Sequence, residues 1–166
     1  ADFNAAVAVV LKHEGGYLED QTTGEISKFG LTAEFLRSIG RPHDRDAIRN
    51  LTREQAIQIY REHWWEKYGF ERIQDQRLAT KFFDLAVNLG PQRAVRLLQQ
   101  ALNRCGAQLA VDGLLGERTI AAANEAPVEC VLGHLRALAA AHYRMLAAKD
   151  PRYLPYLKGW LERASQ

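Results

Sequence analysis

At 166 residues the chain is large enough for one domain, or for two small halves that share a core. Its 47% hydrophobic content argues against a disordered chain, and 22 basic against 20 acidic residues, a formal net charge of +2, is too balanced for nucleic acid as the main partner. No apolar run reaches the roughly 18 residues of a membrane-spanning helix, so no membrane insertion is expected, and no secretory leader pattern is visible.

The first helical pattern runs from Asp2, an N-cap residue, to Glu14. Phe3, Val7 and Val10 form an apolar line, and Glu14 is its next member. Gly15-Gly16 stops the helix directly after it. Glu14 is therefore expected on the core-facing side, beside unpaired carbonyls and the negative pole of the helix dipole. Desolvation and the dipole both penalise its ionised form, so its pKa is expected to rise. A carboxylic acid kept protonated near neutral pH is the equipment of a general acid. The structural alternative is a Glu bent to solvent, or paired with Lys12 or an arginine.

Residues 15–31 lose the helical period and read as a small hairpin or irregular loop, with a turn at Thr22-Thr23-Gly24. Thr32 caps a short helix that Gly40 and Pro42 stop. Thr52-Arg53-Glu54-Gln55 matches a capping box, and the helix behind it carries Ile59, Tyr60, His63 and Trp64 towards Gly69. On this period Trp64 faces the core and Trp65 solvent. A helix over about 76–89 holds Leu78, Phe82, Leu85 and Leu89, with Thr80, Asp84 and Asn88 as a second, polar line. Gly90 ends it and Pro91 opens the next. Gly90-Pro91 is the best boundary, dividing 1–90 from 91–166, but it is too short to separate moving domains. Further helices are expected around 119–124, from Pro127 to Lys149 on a stripe of Val131, Leu135, Leu138, His142 and Leu146, and from Asp150 onward through Leu154, Leu157, Trp160 and Leu161. The fold class is mainly α. Cys105 and Cys130 both sit in apolar helical patterns, which favours two buried free thiols over a bridge.

Several chemistries fail on spacing. His13-Glu14 lacks the second histidine of a zinc protease, since position 17 is Tyr. His134 and His142 lie two turns apart rather than one, and the cysteines lack zinc spacing. No phosphate loop or serine nucleophile elbow appears, so neither a metal nor a cofactor is expected. Carboxylates beside aromatics remain. Glu14, buried, and Asp20, wetter and ionised, form the kind of pair used in glycoside hydrolysis; Asp20 reads equally as a turn cap. Ser27 and Thr32 are candidates to orient water or sugar, or else a strand residue and a cap. Tyr17, Tyr60 and Trp65 are candidates to stack on sugar rings, and Asp84 and Asn88 to line the groove.

Leu11-Lys12-His13-Glu14-Gly15-Gly16-Tyr17, then Gly24 to Ser27 and Phe29-Gly30-Leu31-Thr32, resemble the opening of the glycoside hydrolase family 108 N-acetylmuramidases. The resemblance continues through Ile59-Tyr60 and Phe83 to Gly90. It then enters that family's associated C-terminal peptidoglycan-binding region, with Leu98-Gln99, Asp112-Gly113, Gly116, Thr119, Gly159-Trp160-Leu161 and Arg163. It implies a lysozyme-like helical fold and cleavage of peptidoglycan between N-acetylmuramic acid and N-acetylglucosamine, with Glu14 as the acid. A monomer acting in the periplasm or cell wall is expected, and with no leader pattern visible, export through a holin or a dedicated secretion route. The family loop resembles Asp-Pro-x-Asp-x-Gly-Gly-x-Thr; here Asp20 matches the first acid, Gln21 replaces Pro, the second Asp is absent, and Glu25 and Ser27 stand for the second Gly and the Thr. These departures fall on the second carboxylate and leave Glu14 untouched. A lytic transglycosylase and a non-catalytic wall-binding module are the alternatives.

Overall fold

The computed structural model describes residues 1–21 and 23–166. Helix α1, Phe3–His13, starts where the Asp2 carboxylate accepts from the Ala5 amide, and Glu14 is its C-cap. Phe3, Ala6, Val7, Val10 and Leu11 are its buried side. A three-stranded antiparallel sheet follows, of β1 (Leu18–Glu19), β2 (Ile26–Lys28) and β3 (Leu31–Thr32). Leu18 faces Ser27, and Ser27 faces Thr32. The insert after α1 is thus a small sheet rather than a bare loop. Of the expected turn, Thr22 lies outside the described residues; Gly24 adopts φ +75° and donates to the Asp20 carbonyl.

Thr32 caps α2 (Ala33–Ser38), and Asp44 caps α3 (Arg45–Arg49), a short helix with too few apolar positions to show a period. The Thr52–Gln55 capping box is complete in both directions and opens α4 (Arg53–Tyr60). Beyond it, Arg61–Glu66 form a π-helical turn. Its i→i+5 pattern adds a residue to the turn and rotates everything that follows. Trp65, not Trp64, therefore faces the core. Trp65 is 4% exposed, with its ring 5.4 Å from Phe83 and 5.6 Å from Phe3, while Trp64 is half-buried against Phe35 and Tyr60.

Helix α5 (Gln76–Leu89) packs its apolar side against α1 and α6 (Pro91–Arg104). Helix α7 (Glu117–Glu125) is short; α8 (Val128–Lys149) is the long brace, packed on α6 and on the last helix, α9 (Leu154–Ser165). The buried side of α8 runs through Val131, Leu132, Leu135, Ala139, Tyr143 and Ala147, so the expected stripe through Leu138, His142 and Leu146 sits at its margin. Core residues from both sides of Gly90 form one continuous cluster. Cys105 and Cys130 are joined in a disulfide, Cα to Cα 6.1 Å, which corrects the expectation of free thiols. Cys105 is the cap of α6 rather than a member of its stripe, and the start of α8 comes to meet it.

Candidate active site

Glu14 leaves α1 at the point where the chain must turn. Its amide donates to the Val10 carbonyl, and Gly15, at φ +48°, takes the chain away from the helix axis. The sheet is tied back to this end: the Phe29 amide donates to the Gly15 carbonyl at 3.1 Å, and the Tyr60 hydroxyl donates to the Phe29 carbonyl at 2.6 Å. Phe29 itself holds φ +54°, an uncommon conformation for a bulky residue. Gly30 lets the two segments touch. A Cβ there would lie 2.6 Å from the Tyr60 hydroxyl and 2.8 Å from Cγ of Glu14. No side chain larger than hydrogen fits between them.

On its other side the Glu14 carboxylate meets Arg163, from the last turns of α9; Nη1 of Arg163 is 2.8 Å from Oε1. Arg163 is in turn fixed on Asp84 of α5. Its Nε donates to Oδ2 at 3.0 Å and its Nη2 to Oδ1 at 2.8 Å. His13 Nδ1 lies 3.1 Å from the same Oδ1, and His13 Nε2 lies 2.7 Å from Oε1 of Gln166. Burial opposes ionisation of Asp84, but hydrogen bonds from His13 and Arg163 outweigh it and hold the carboxyl below its ordinary range. The bond to Asp84 pushes the His13 ring above its ordinary value against the cost of burial. Both ring nitrogens face oxygen acceptors, so the imidazolium satisfies both. Burial also lowers the Arg163 guanidinium's pKa, yet its contacts with Asp84 and Glu14 raise it further than burial lowers it. Below this group, Lys81 donates to the carbonyls of Arg163 at 3.0 Å and Ala164 at 2.8 Å and so caps the end of α9; burial lowers its pKa to about 8.

A cavity of about 490 Å³ opens beside this network. Glu14, Asn88, Tyr156, Trp160 and Glu162 are among its lining residues. The rings of Tyr156 and Trp160 stack with centroids 6.0 Å apart, and the Tyr156 hydroxyl donates to Oδ1 of Asp20 at 2.8 Å. Asp20 thus stands one side chain away from the Glu14 cavity, at the head of the turn, where it also accepts from the Thr23 amide. Asn88 accepts from the hydroxyl of Tyr143.

Other sequence candidates lie elsewhere. Tyr60 is fully buried, and burial, with the charge of Glu14, pushes its hydroxyl well above the ordinary tyrosine range; its ring has no face open to a sugar. Trp65 is likewise packed in the core, shifted there by the π-turn. Asp84 is 2% exposed and lies under Arg163; it lines a second cavity of about 500 Å³ with Thr80 and Lys81, not the one beside Glu14. Thr32 spends its hydroxyl on the Phe35 amide. Ser27 sits half-buried in the middle strand. Tyr17 donates to Glu19, and Arg49 lies over its ring at 4.9 Å. Tyr156 has no signal in the periodicity other than its four-residue step to Trp160. Among the described residues, Cys105, Cys130 and His134 are the one group of His, Cys and acid side chains close enough to share a metal, and the two sulfurs are bonded to each other.

The fold has a counterpart among solved structures. The curated proteins contain no match to the chain. The structure described as "Structure of Brucella abortus SagA" shares the fold, at TM-score 0.75 and 24% identity, over 98% of this chain and 92% of that one. Residues 93–165 match the family described as "Predicted Peptidoglycan domain". Residues 7–90, which contain Glu14, the sheet and Asp84, match the family described as "Glycosyl hydrolase 108". With that match spanning half of its length, the chain belongs to the glycosyl hydrolase 108 family and is a glycoside hydrolase that acts on peptidoglycan.

Proposed function

We propose that the protein is an N-acetylmuramidase. It cleaves the β-1,4 bond between N-acetylmuramic acid and N-acetylglucosamine, with Glu14 protonating the leaving glycosidic oxygen. The observation that carries this reading is the setting of Glu14. A carboxyl group at the end of a half-buried helix, 20% exposed, opens into a cavity with an aromatic wall. That is where a general acid must meet a sugar. Tyr156, backed by Trp160, which itself stacks on Tyr143, supplies aromatic surface for pyranose rings, and Asn88 a hydrogen-bonding edge. Asp20 is the candidate for the second carboxylate, acting on water or on developing oxocarbenium charge; it is linked to the cavity through the hydroxyl of Tyr156, which donates to it. Residues 1–90 supply the acid and 91–166 the opposite wall, as one monomeric unit that works on the glycan in the cell wall.

Purified sacculi test this. Glu14→Gln should lower the release of reducing sugar by at least about 100-fold, the lower range for loss of a proton-transfer group, without loss of the folded melting transition. A folded Glu14→Gln protein that clears sacculi at the parent rate would remove Glu14 from the role. Asp20→Asn should cost about tenfold or more on the same assay, and an unchanged rate would retire Asp20.

A further inference from the structure

The guanidinium of Arg163 has only one orientation open to it. Two of its nitrogens are fixed on the two oxygens of Asp84, at 3.0 and 2.8 Å, in the fork geometry that suits a carboxylate. Asp84 cannot turn, because it is buried and His13 holds Oδ1. The third nitrogen, Nη1, is left pointing at Oε1 of Glu14. The backbone that carries Arg163 is itself pinned, since Lys81 takes the carbonyls of residues 163 and 164. On the far side of Glu14, its Cγ and Cδ lie so close to Gly30 that a Cβ there would come within 2.8 and 2.9 Å of them. The carboxyl group is held between two walls, and one belongs to the last helix of the peptidoglycan-domain half.

Given Glu14 as the acid, on which this role depends, we propose that Arg163 is a positioning residue for it: the C-terminal half completes the active site by fixing the Glu14 carboxyl. The glycosyl hydrolase half of the chain then lacks a finished site of its own. Holding a reacting group within a fraction of an ångström is worth orders of magnitude in rate.

Removing Arg163 alone strands Asp84 as a buried charge, so the decisive variant is Arg163→Gln with Asp84→Asn. Arg163→Lys is the second, because its single ammonium keeps the charge but cannot span both carboxylates. Each is measured with the parent on solubilised, uncross-linked glycan strands, as kcat and KM, alongside thermal melting and Glu14→Gln. The expected result for the double variant is a kcat at least about tenfold lower with KM within about threefold of the parent's. Arg163→Lys should likewise lose kcat at near-parental KM. A folded double variant with kcat within twofold of the parent would overturn the role. If it does not fold, Arg163→Lys decides: parental kcat refutes positioning, and reduced kcat at parental KM supports it. Activity in Glu14→Gln would instead mean that the acid is misassigned, a failure distinguishable from that of Arg163.

Discussion

Three sequence features meet at Glu14: an apolar line, a helix stop and an acid where a cation would be more stable. Pairing with an arginine was among the sequence readings, but which arginine was not readable. Residues 14 and 163 are brought together only by the docking of α9, and no local pattern encodes that contact. The same holds for Asp84, whose four-residue steps to Thr80 and Asn88 suggested a groove wall and gave no sign of its place as the buried anchor of Arg163. Gly30 carries a consequence at this scale. Gly30→Ala forces a Cβ into Glu14 and Tyr60 at a backbone angle of +79°. It should cost about 1–3 kcal/mol of stability and more than tenfold in rate, which chemical denaturation and the sacculus assay read separately. Parental activity would show that the close approach does not matter. His13 supplies a pH dependence. Its folded pKa is raised, so its contribution to stability is complete below its ordinary value of 6.5 and is lost as pH rises through the folded value. The melting-temperature gap between the parent and His13→Gln should shrink from pH 5 to pH 9. A constant gap would contradict the ion pair with Asp84.

Helices were legible where caps were written into the chain. Asp2, Thr32 and the Thr52–Gln55 box open α1, α2 and α4, and Gly90-Pro91 separates α5 from α6. What the 3.6-residue period could not show was the π-turn of residues 61–66, since the period presumes that each turn has the same number of residues. That turn exchanged the roles of two adjacent tryptophans. Trp65→Ala should therefore cost about 3–5 kcal/mol in urea unfolding, as truncation of a buried aromatic does, and Trp64→Ala distinctly less. The reverse order would place Trp64 in the core. The strands of the insert were half-legible. Their two- and three-residue lengths are too short for alternation to declare itself, and their register depends on ties from Phe29 to Gly15 and to Tyr60.

Across the whole molecule the two matched families are not beads on a string. They share a core, and a salt bridge between Arg163 and Glu14 crosses from one to the other. The disulfide between Cys105 and Cys130 closes a 25-residue separation over the α6–α8 junction, and pairing of this kind cannot be read from cysteines lying in apolar runs. Replacing both cysteines by serine should lower stability by about 3 kcal/mol through loosening of the unfolded chain, seen as a lower melting midpoint that reductant no longer changes. No shift on losing the bridge would mean that it contributes nothing to the fold. Among the described residues no helix is long and apolar enough to cross a membrane. The chemistry itself is tested most directly by mass spectrometry of the soluble products from purified sacculi. Hydrolysis assisted by Glu14 predicts reducing N-acetylmuramic acid ends, one water heavier than the anhydro ends of a ring-closing transglycosylase, and none from Glu14→Gln. Anhydro ends would contradict attack by water, and N-acetylglucosamine at the new reducing ends would contradict the bond assigned.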